Sequence, residues 1–184
     1  MGQHQGHVPV MGERAAPQAG IVLMNTPRIQ RALDRMACEI LEDVTSADKL
    51  AVLGIDVRGY NLAGCLCDAL NKHSGSRVQC VRLAVRDGTN LKDETAQLSG
   101  NHENLILVDD VLFSGTVMLK AMRRVMDHTV PGDLQIAVLV DRGHRRFPIA
   151  ARYTGINSPT KLDEHVAVMF SAEGLPESVV LTKS

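Results

Sequence analysis

The segment Leu105–Val117 has the sequence LILVDDVLFSGTV, which predicts a strand, a short turn and a helix in succession. Leu105–Val108 is a short continuous apolar run, typical of a strand buried on both faces of a parallel sheet. Two acids follow that run, and the small residues Ser114–Thr116 then form the turn. From Val117 onward, apolar residues recur at helical spacing, at positions 117, 118, 121, 122, 125 and 126. A buried strand that leads into a helix is the repeating unit of α/β folds.

The same segment has the chemistry of an anion-binding site. The first amides of a helix lack internal acceptors, and the helix dipole favours negative charge beside them. Gly115 lets the backbone approach a phosphate closely, and Ser114 and Thr116 add hydroxyl donors. We expect Asp109 and Asp110 at the solvent-facing carboxyl end of the strand, where open α/β sheets bind ligands and where carboxylates can accept hydrogen bonds from ribose hydroxyls. The alternative is a plain strand-to-helix turn whose acids and serine only cap the helix.

Helix and strand patterns alternate along the rest of the chain. Asn25 or Thr26 can cap a first helix with Pro27 in its first turn. The other predicted elements are helical apolar positions over 29–41, a buried strand over 50–55, a loop over 56–59, a helix from 62 that ends near 73–75, a strand over 78–85, a loop over 86–103, and strands over 136–140, 166–170 and 179–181. This alternation predicts an α/β domain with a mainly parallel sheet over residues 21–184. Residues 1–20 show no periodicity and are expected to form a disordered tail.

Composition narrows the functional classes. Hydrophobic residues make up 45% of the chain, so a packed core is feasible. The net charge of −1 supplies no global field for nucleic acid, and aromatic residues at 3% offer no base-stacking platform. No apolar run approaches the ~18 residues of a membrane span. The four cysteines lack zinc-ligand spacing, so we expect buried free thiols in a reducing, cytoplasmic compartment.

The 105–117 segment resembles the phosphoribosyl pyrophosphate (PRPP) signature of type I phosphoribosyltransferases. Leu139–Thr160, LVDRGHRRFPIAARYTGINSPT, resembles the carboxyl-terminal half of the PyrR family, bifunctional pyrimidine-operon regulators with uracil phosphoribosyltransferase activity. Arg31–Ile40 (RALDRMACEI) and Gly54–Gly59 (GIDVRG) are similar to that family too. The resemblance covers about residues 24–182. It implies a type I phosphoribosyltransferase fold with a small hood, assembled as a homo-oligomer (a dimer or tetramer).

The resemblance also implies roles for individual residues. Asp109 and Asp110 would hold the ribose hydroxyls of PRPP, and Arg58-Gly59 would grip pyrophosphate. Arg86 and Asp87 would lie on a flexible loop that closes over the substrate. The implied PRPP-binding set is Arg58, Gly59, Asp109, Asp110, Val111, Leu112, Phe113, Ser114, Gly115, Thr116 and Val117, and the implied catalytic set is Arg86, Asp87, Asp109 and Asp110. Asp141 and Arg142 would help to read the base, largely through backbone groups, and Mg²⁺ would be held mainly through PRPP.

Several positions depart from the family pattern. The Thr-Gly-Arg-Thr turn of the family is Ser114–Val117 here, so its last hydroxyl has become Val117. The Thr-Arg-Gly loop is Val57-Arg58-Gly59, and the second acid of the flexible loop has become Gly88. The charged part of the site remains while several supporting hydroxyls are missing, which favours PRPP binding over efficient turnover.

A second family property, messenger RNA binding, is weakened in this sequence. Basic side chains cluster at Arg142, His144, Arg145, Arg146 and Arg152, and Arg35, His144 and Arg145 match positions that the family uses for RNA. However, Asp34 and Cys38 stand where the family tends to have Thr and His, and Ala150 and Ile156 replace basic residues. Each lost cation lowers affinity for phosphates. We therefore expect specific RNA binding to be weak or absent.

Three functions remain open at this point. The first is an enzyme that converts uracil and PRPP to UMP and pyrophosphate with Mg²⁺. The second is a nucleotide-sensing regulator that binds UMP or PRPP, and RNA, with weak or no catalysis. The third is a phosphoribosyltransferase for another base.

Overall fold

The structure is a computed structural model and describes residues 20–85, 102–161 and 163–183. Its elements in these ranges are β1 (Ile21–Asn25), α1 (Thr26–Asp43), a 3₁₀ turn (Ala47–Lys49), β2 (Leu50–Ile55), α2 (Asp56–Ser74), β3 (Gln79–Leu83), β4 (Asn104–Leu112), α3 (Thr116–Met126), β5 (Asp133–Asp141), β6 (Tyr153–Asn157), β7 (Glu164–Phe170) and β8 (Pro176–Lys183). None of the described helices has the length and apolarity that a membrane span requires.

Five strands form a parallel sheet in the order β3-β2-β4-β5-β6. This confirms the predicted α/β class. The pairing places Leu112 of β4 beside Asp141 of β5, and Asp141 beside Asn157 of β6. The carboxyl ends of three strands therefore meet at one edge, which the candidate site occupies.

Two hydrophobic layers cover the parallel sheet. Val52, Ile106 and Leu139 pack against α1 and α2 on one face. The other face, which packs against α3, includes Ala51, Leu53, Leu105, Leu107 and Val138. This division follows from the alternation of side chains along a strand. It explains why the predicted strands are continuous apolar runs.

A small antiparallel sheet, β1-β8-β7, forms the hood that the family resemblance implies. Strand β8 pairs with β1 on one side and β7 on the other, so the first and last described segments of the chain lie together. Strand β7 also packs against β4. The hood is thereby joined to the carboxyl edge of the parallel sheet.

The first helix begins as its sequence predicts. The Asn25 side chain accepts a hydrogen bond from the Arg28 amide at 3.2 Å, and Pro27 lies in the first turn. Helix α2 ends at Ser74 with Gly75 in the left-handed conformation, in agreement with the predicted end.

The predicted loop over residues 56–59 is wrong. Helix α2 begins at Asp56, directly after β2, with Asp56 at a φ of +51°. The Asp56 carboxylate does not cap this helix; it accepts a hydrogen bond from the Val85 amide at 2.7 Å, beyond β3. Gly59 looks like a loop residue in the sequence, but it allows close packing of the helix, because a Cβ there would lie 2.6 Å from the Val108 carbonyl oxygen.

Other boundaries also differ from the sequence predictions. Strands β1 and β6 were not predicted, and β4 continues to Leu112 instead of ending at Val108 because it pairs with β5 along that length. The predicted tail, apart from Gly20, and most of the predicted 86–103 loop lie outside the described residues. The late strands at 166–170 and 179–181 are confirmed within β7 and β8. Cys38 is exposed, which contradicts the expectation that all four thiols are buried.

One buried tyrosine joins the end of α1 to the parallel sheet. Tyr153 is 2% exposed, and its hydroxyl donates to Asp43 Oδ2 at 2.8 Å. Arg152 Nε donates to the same oxygen at 2.8 Å. Burial and the adjacent carboxylate together raise the pKa of Tyr153 above its ordinary value.

We expect Tyr153→Phe to lower the free energy of unfolding by about 1 kcal/mol, because the ring still fills its site while the hydrogen bond to a carboxylate is lost. Urea unfolding followed by circular dichroism measures this effect. Tyr60→Phe is the matched control, since Tyr60 is 40% exposed. Equal stability of the two variants would show that the Tyr153 hydroxyl contributes nothing.

Candidate functional site

The turn between β4 and α3 has the geometry of an anion cradle. Gly115 lies at the N-cap of α3 with a φ of +79°, a conformation that suits glycine, and it has no side chain to cap the helix. The Ser114 and Thr116 hydroxyls are 3.0 Å apart, and the Ser114 oxygen also lies 3.4 Å from the Thr116 amide. The two hydroxyl groups therefore stand beside the open amides of a helix N-terminus, where negative charge is favoured.

The two acids of the signature lie inside β4, not at an exposed end. Asp109 is 5% exposed and Asp110 is 8% exposed, so the expectation that both face solvent is wrong. Both acids are buried because β4 stays paired with β5 beyond them, as far as Leu112. Each carboxylate accepts the amide of the next residue, at 3.0 Å for Asp109 and 2.9 Å for Asp110.

The alternation of β4 side chains breaks at these acids. Ile106 and Val108 pack with α1 and α2, but so does Val111, three residues farther on. Leu112, in contrast, packs with the α3 layer. A regular strand would place Val108 and Val111 on opposite faces. The irregularity lies at Asp109 and Asp110, where each carboxylate accepts a hydrogen bond from the amide of the next residue.

Arg58 connects the sheet to the hood. Its Nε donates to Asp110 Oδ2 at 2.7 Å, and its Nη2 donates to the Val168 carbonyl of β7 at 2.6 Å. The guanidinium carbon lies 5.0 Å from the centre of the Phe170 ring. The Arg58 side chain remains 48% exposed, so it faces both the protein and the open site.

Arg142 holds the segment after β5 against the turn between β4 and α3. It is 5% exposed, donates from Nε to Thr160 Oγ1 at 2.9 Å, and is hydrogen-bonded to the Glu164 carbonyl. Its guanidinium lies 4.5 Å from the centre of the Phe113 ring, and its amide donates to the Leu112 carbonyl at 2.9 Å. Burial lowers the pKa of Arg142. The contacts with Thr160, Glu164 and Phe113 hold its side chain in place. Its side chain is committed to holding the fold around the site.

Arg145 and Asp141 make a second set of contacts between the segment after β5 and the same turn. Arg145 donates to the carbonyl oxygens of Ile149 at 2.8 Å and Phe113 at 2.6 Å, and it pairs with the Asp141 carboxylate. The other Asp141 oxygen accepts the Gly143 amide at 2.8 Å. Both side chains therefore stabilise the loop beside the turn.

The remaining candidate RNA contacts also have partners within the chain. His144 is hydrogen-bonded to the Thr160 carbonyl. Arg35 donates to the carbonyls of Thr154 at 2.7 Å and Gly155 at 3.1 Å, and it pairs with Glu39. These side chains are directed at main-chain oxygens of their own protein.

Asp34 affects the charge of the same region. It is hydrogen-bonded to His73 at 3.2 Å and accepts from Lys72 at 3.4 Å. The bond to His73 is the main cause of the lowered pKa of Asp34. The acid therefore stays ionised and offsets the charge of neighbouring cations.

Some site residues were missed at the sequence level, and others cannot be placed. Val168 and Phe170 contribute to the site from β7 of the hood, and Thr160 contributes from the segment between β6 and β7. No local motif marks these three residues. Arg86 and Asp87 lie outside the described residues. Among the described residues, no group of three or more His, Cys, Asp or Glu side chains could hold a metal ion.

The chain matches known proteins over most of its length. Residues 23–172 match the family model for the phosphoribosyl transferase domain. The chain is 39% identical over 176 residues to "Bifunctional protein PyrR" of Geobacter sulfurreducens, covering 89% of this chain and 98% of that protein. It is 40% identical over 152 residues to "Bifunctional protein PyrR 1" of Lactiplantibacillus plantarum, covering 76% of this chain and 84% of the relative.

Solved structures show the same fold at lower identity. The HGPRT-ase of Leishmania tarentolae, in complex with GMP, superposes with a TM-score of 0.70 at 22% identity, covering 91% of this chain and all of that one. The hypoxanthine phosphoribosyltransferase of Trypanosoma cruzi gives a TM-score of 0.67 at 19% identity, covering 88% of this chain and 95% of its own.

We expect Gly59→Ala to lower the free energy of unfolding by about 1–3 kcal/mol, because its Cβ would press on the Val108 carbonyl and push α2 away from β4. Gly64→Ala on the same helix is the matched control. A Cβ at Gly64 meets nothing within 4 Å, so that change should stabilise the protein by up to about 1 kcal/mol. Urea denaturation of both variants measures the contrast, and a neutral Gly59→Ala would refute the close packing.

Proposed function

This chain belongs to the phosphoribosyltransferase family, in which it is related to the bifunctional PyrR proteins, and on that premise we propose that it transfers phosphoribose from PRPP to uracil. The products are UMP and pyrophosphate. The observation that carries the proposal is the N-terminus of α3, which has Gly115 at a positive φ as its N-cap and follows the buried acid pair of β4 by a short turn. It supports a site for a phosphate at one end and a sugar at the other.

The 5′-phosphate of PRPP is proposed to bind at the turn. The amides at the start of α3 and the hydroxyls of Ser114 and Thr116 are the donors available there. The Val117 side chain offers no hydroxyl, so Thr116 takes over that function from one position earlier. Phosphate binding at a helix N-terminus gains from both open amides and the helix dipole.

Asp109 and Asp110 are proposed to accept hydrogen bonds from the ribose hydroxyls. In the described structure one Asp110 oxygen is paired with Arg58. When pyrophosphate is present, Arg58 turns toward it, and that Asp110 oxygen becomes available to the ribose. The half-exposed side chain of Arg58 allows this movement. Gly59 keeps the start of α2 close to β4.

The reaction needs no protein nucleophile. The bond from ribose C1 to pyrophosphate oxygen breaks, the bond from C1 to uracil nitrogen forms, and the nitrogen loses its proton. Positive charge develops on the sugar while negative charge develops on the leaving pyrophosphate. Rate acceleration therefore comes from positioning and from cations directed at the leaving group. Arg58 and Arg86 are proposed to supply these cations, and Asp87, next to Arg86 in the sequence, is proposed to belong to the same catalytic set.

Mg²⁺ generally accompanies PRPP in this family. The residues present fit an ion carried mainly by the substrate, because Asp109 and Asp110 supply carboxylates but the described residues contain no complete protein ligand set. Mg²⁺ commonly binds one or two carboxylates together with substrate phosphates. When bound, it would neutralise charge on pyrophosphate.

The base is proposed to bind beside the segment that begins with Asp141 and Arg142. The side chain and the amide of Arg142 are both engaged with the protein. Arg142 is therefore a positioning residue, and uracil is read by main-chain groups around it. We further propose that the protein works as a homo-oligomer in the cytoplasm, where its free thiols suit a reducing environment.

A panel of bases with PRPP and Mg²⁺ tests the reaction through release of pyrophosphate. Uracil should give the fastest release, with hypoxanthine, guanine, cytosine and orotate near the rate without base. Release with a purine and none with uracil would overturn the choice of base. No release with any base, combined with measurable PRPP binding, would favour the second candidate, a nucleotide-sensing regulator, which the missing hydroxyl at Val117 and the missing acid at Gly88 support.

Asp109→Asn and Asp110→Asn should each weaken PRPP binding by about tenfold, the cost of one hydrogen bond to a charged group. Calorimetry with PRPP and Mg²⁺ measures the affinity, and thermal melting checks that the buried amides are tolerated. Asp127→Asn, at the exposed end of α3, is the control and should bind normally. Unchanged affinity in both folded variants would remove the ribose-binding role.

Specific RNA binding is expected to be weak, since Arg35, His144 and Arg145 are turned to the protein's own carbonyls. Residual binding should fall steeply with salt and show no preference for a pyrimidine-leader hairpin over a scrambled one. Filter binding across a salt series tests this expectation. Asp34→Thr should strengthen the residual binding, because Lys72 and His73 lose the partner that offsets them. Tight, leader-selective binding by the unmodified chain at physiological salt would contradict the expectation.

A further inference from the structure

Two cysteines lie at the β3 edge of the parallel sheet, one on α2 and one on β3. The proposed reaction involves neither of these cysteines. Cys67 lies on α2 and Cys80 lies on β3, and the two thiols interact with each other in the wall of one cavity. Helix α2 packs on β3, where Cys80 is paired in register with Val52 of β2. The contact therefore rests on regular secondary structure on both sides.

A cavity gives access to the pair. Both cysteines line this cavity of about 680 Å³, whose wall also includes Asn71, Arg77 and His102. Cys67 is 4% exposed, whereas Cys80 is only partly buried. Cys80 is therefore the more accessible thiol of the pair.

This interaction makes the two thiols unequal. It outweighs burial at Cys80, so the pKa of Cys80 lies below its ordinary value. The same interaction and burial raise the pKa of Cys67, which is the more buried of the two. Since the thiolate is the nucleophile, Cys80 is the first to react, and Cys67 is placed to respond.

We propose that Cys67 and Cys80 form a reversible disulfide by exchange with a low-molecular-weight disulfide, of which oxidised glutathione is the probe. The Cys80 thiolate attacks one sulfur of the probe, a mixed disulfide forms, and one glutathione thiolate leaves. Cys67 then loses its proton and attacks Cys80 Sγ, and the second glutathione thiolate leaves. The two protein thiols are oxidised and the probe is reduced to two thiols.

This bond would clamp α2 to the edge strand of the sheet. Helix α2 carries Arg58 in its first turn. The clamp would therefore restrain the helix that supplies a cation to the proposed pyrophosphate site. Transient disulfides of this kind are compatible with a reducing compartment.

The other two cysteines serve as internal controls. Cys65 lies two residues before Cys67, which places it on a different side of the helix. It lines a separate groove with Leu33 and Asp34 of α1. Burial raises the pKa of Cys65, and Cys38 is exposed on α1.

The test uses the full chain in native buffer, both unmodified and as the Cys38→Ser/Cys65→Ser double variant. Each is incubated with oxidised glutathione, alkylated, digested with trypsin and analysed by mass spectrometry. Cleavage after Arg58, Lys72, Arg77 and Arg82 separates residues 59–72, which hold Cys65 and Cys67, from residues 78–82, which hold Cys80. Fragment ions of the linked peptide identify which of the two helix cysteines is bonded in the unmodified chain. We expect these two peptides to be linked, with the loss of two hydrogen atoms, and dithiothreitol to release them.

Two further substitutions, each made separately in the Cys38→Ser/Cys65→Ser double variant, distinguish the roles of the two remaining thiols. With Cys67→Ser, Cys80 should remain as the glutathione mixed disulfide, because the responding thiol is gone. With Cys80→Ser, buried Cys67 should stay unmodified. If either fails to fold by circular dichroism, the linked peptide in the double variant decides the question alone.

A persistent glutathione adduct on Cys80 without the linked peptide, or no reaction at either thiol, would overturn the proposal. A link from Cys80 to Cys65 in the unmodified chain would overturn it too. Because none of these measurements depends on turnover, they separate the thiol site from the proposed transferase reaction.

Discussion

The guanidinium of Arg58 is the contact on which the arrangement of the site depends. It joins α2 to Asp110 of β4 and to the Val168 carbonyl of the hood strand β7. A half-exposed ion pair contributes little to stability by itself, since water screens it. Its importance is geometric, because one side chain sets the position of the hood relative to the acid pair. In the proposed reaction the same cation must turn toward pyrophosphate, which couples ligand binding to the position of the hood.

The basic segment after β5 shows why a cluster of cations in a sequence is not equivalent to a basic surface. Arg142 is buried against Phe113 and Thr160, and Arg145 donates to several carbonyl oxygens around the turn. A guanidinium presents five donors in a rigid fork, so it can satisfy many main-chain acceptors where the chain bends without regular pairing. Both arginines therefore support the turn instead of facing a polyanion.

Asp109 and Asp110 are ionisable side chains in buried positions. Asp109 and Asp110 lie in a strand that is paired along its length, and buried carboxylates need hydrogen bonds to offset the loss of water. Each one accepts the amide of the next residue, and the alternation of β4 breaks at this point. Asp110 is further stabilised by Arg58. Acids can therefore be held inside a sheet when the backbone and one cation supply their partners.

Local patterns were sufficient for the α/β class, for β2, for the Asn25 cap, for the end of α2 and for the turn around Gly115. These features depend on neighbours within a few residues, on apolar periodicity, or on the conformational freedom of glycine. The quoted motifs also led to the family to which the chain belongs.

Long-range packing settled the rest. Asp56 begins a helix because its first turn packs on β4, and β4 runs past the acids because β5 pairs with it. Arg58 meets Val168 across 110 residues of sequence, and Arg142 meets Thr160 only when the hood is folded over the turn. Cys67 becomes the partner of Cys80, while Cys65 faces another groove, through the packing of α2 on β3. Such partners are brought together by the burial of apolar surface over the whole chain, and no short segment records which distant group will occupy the adjoining site.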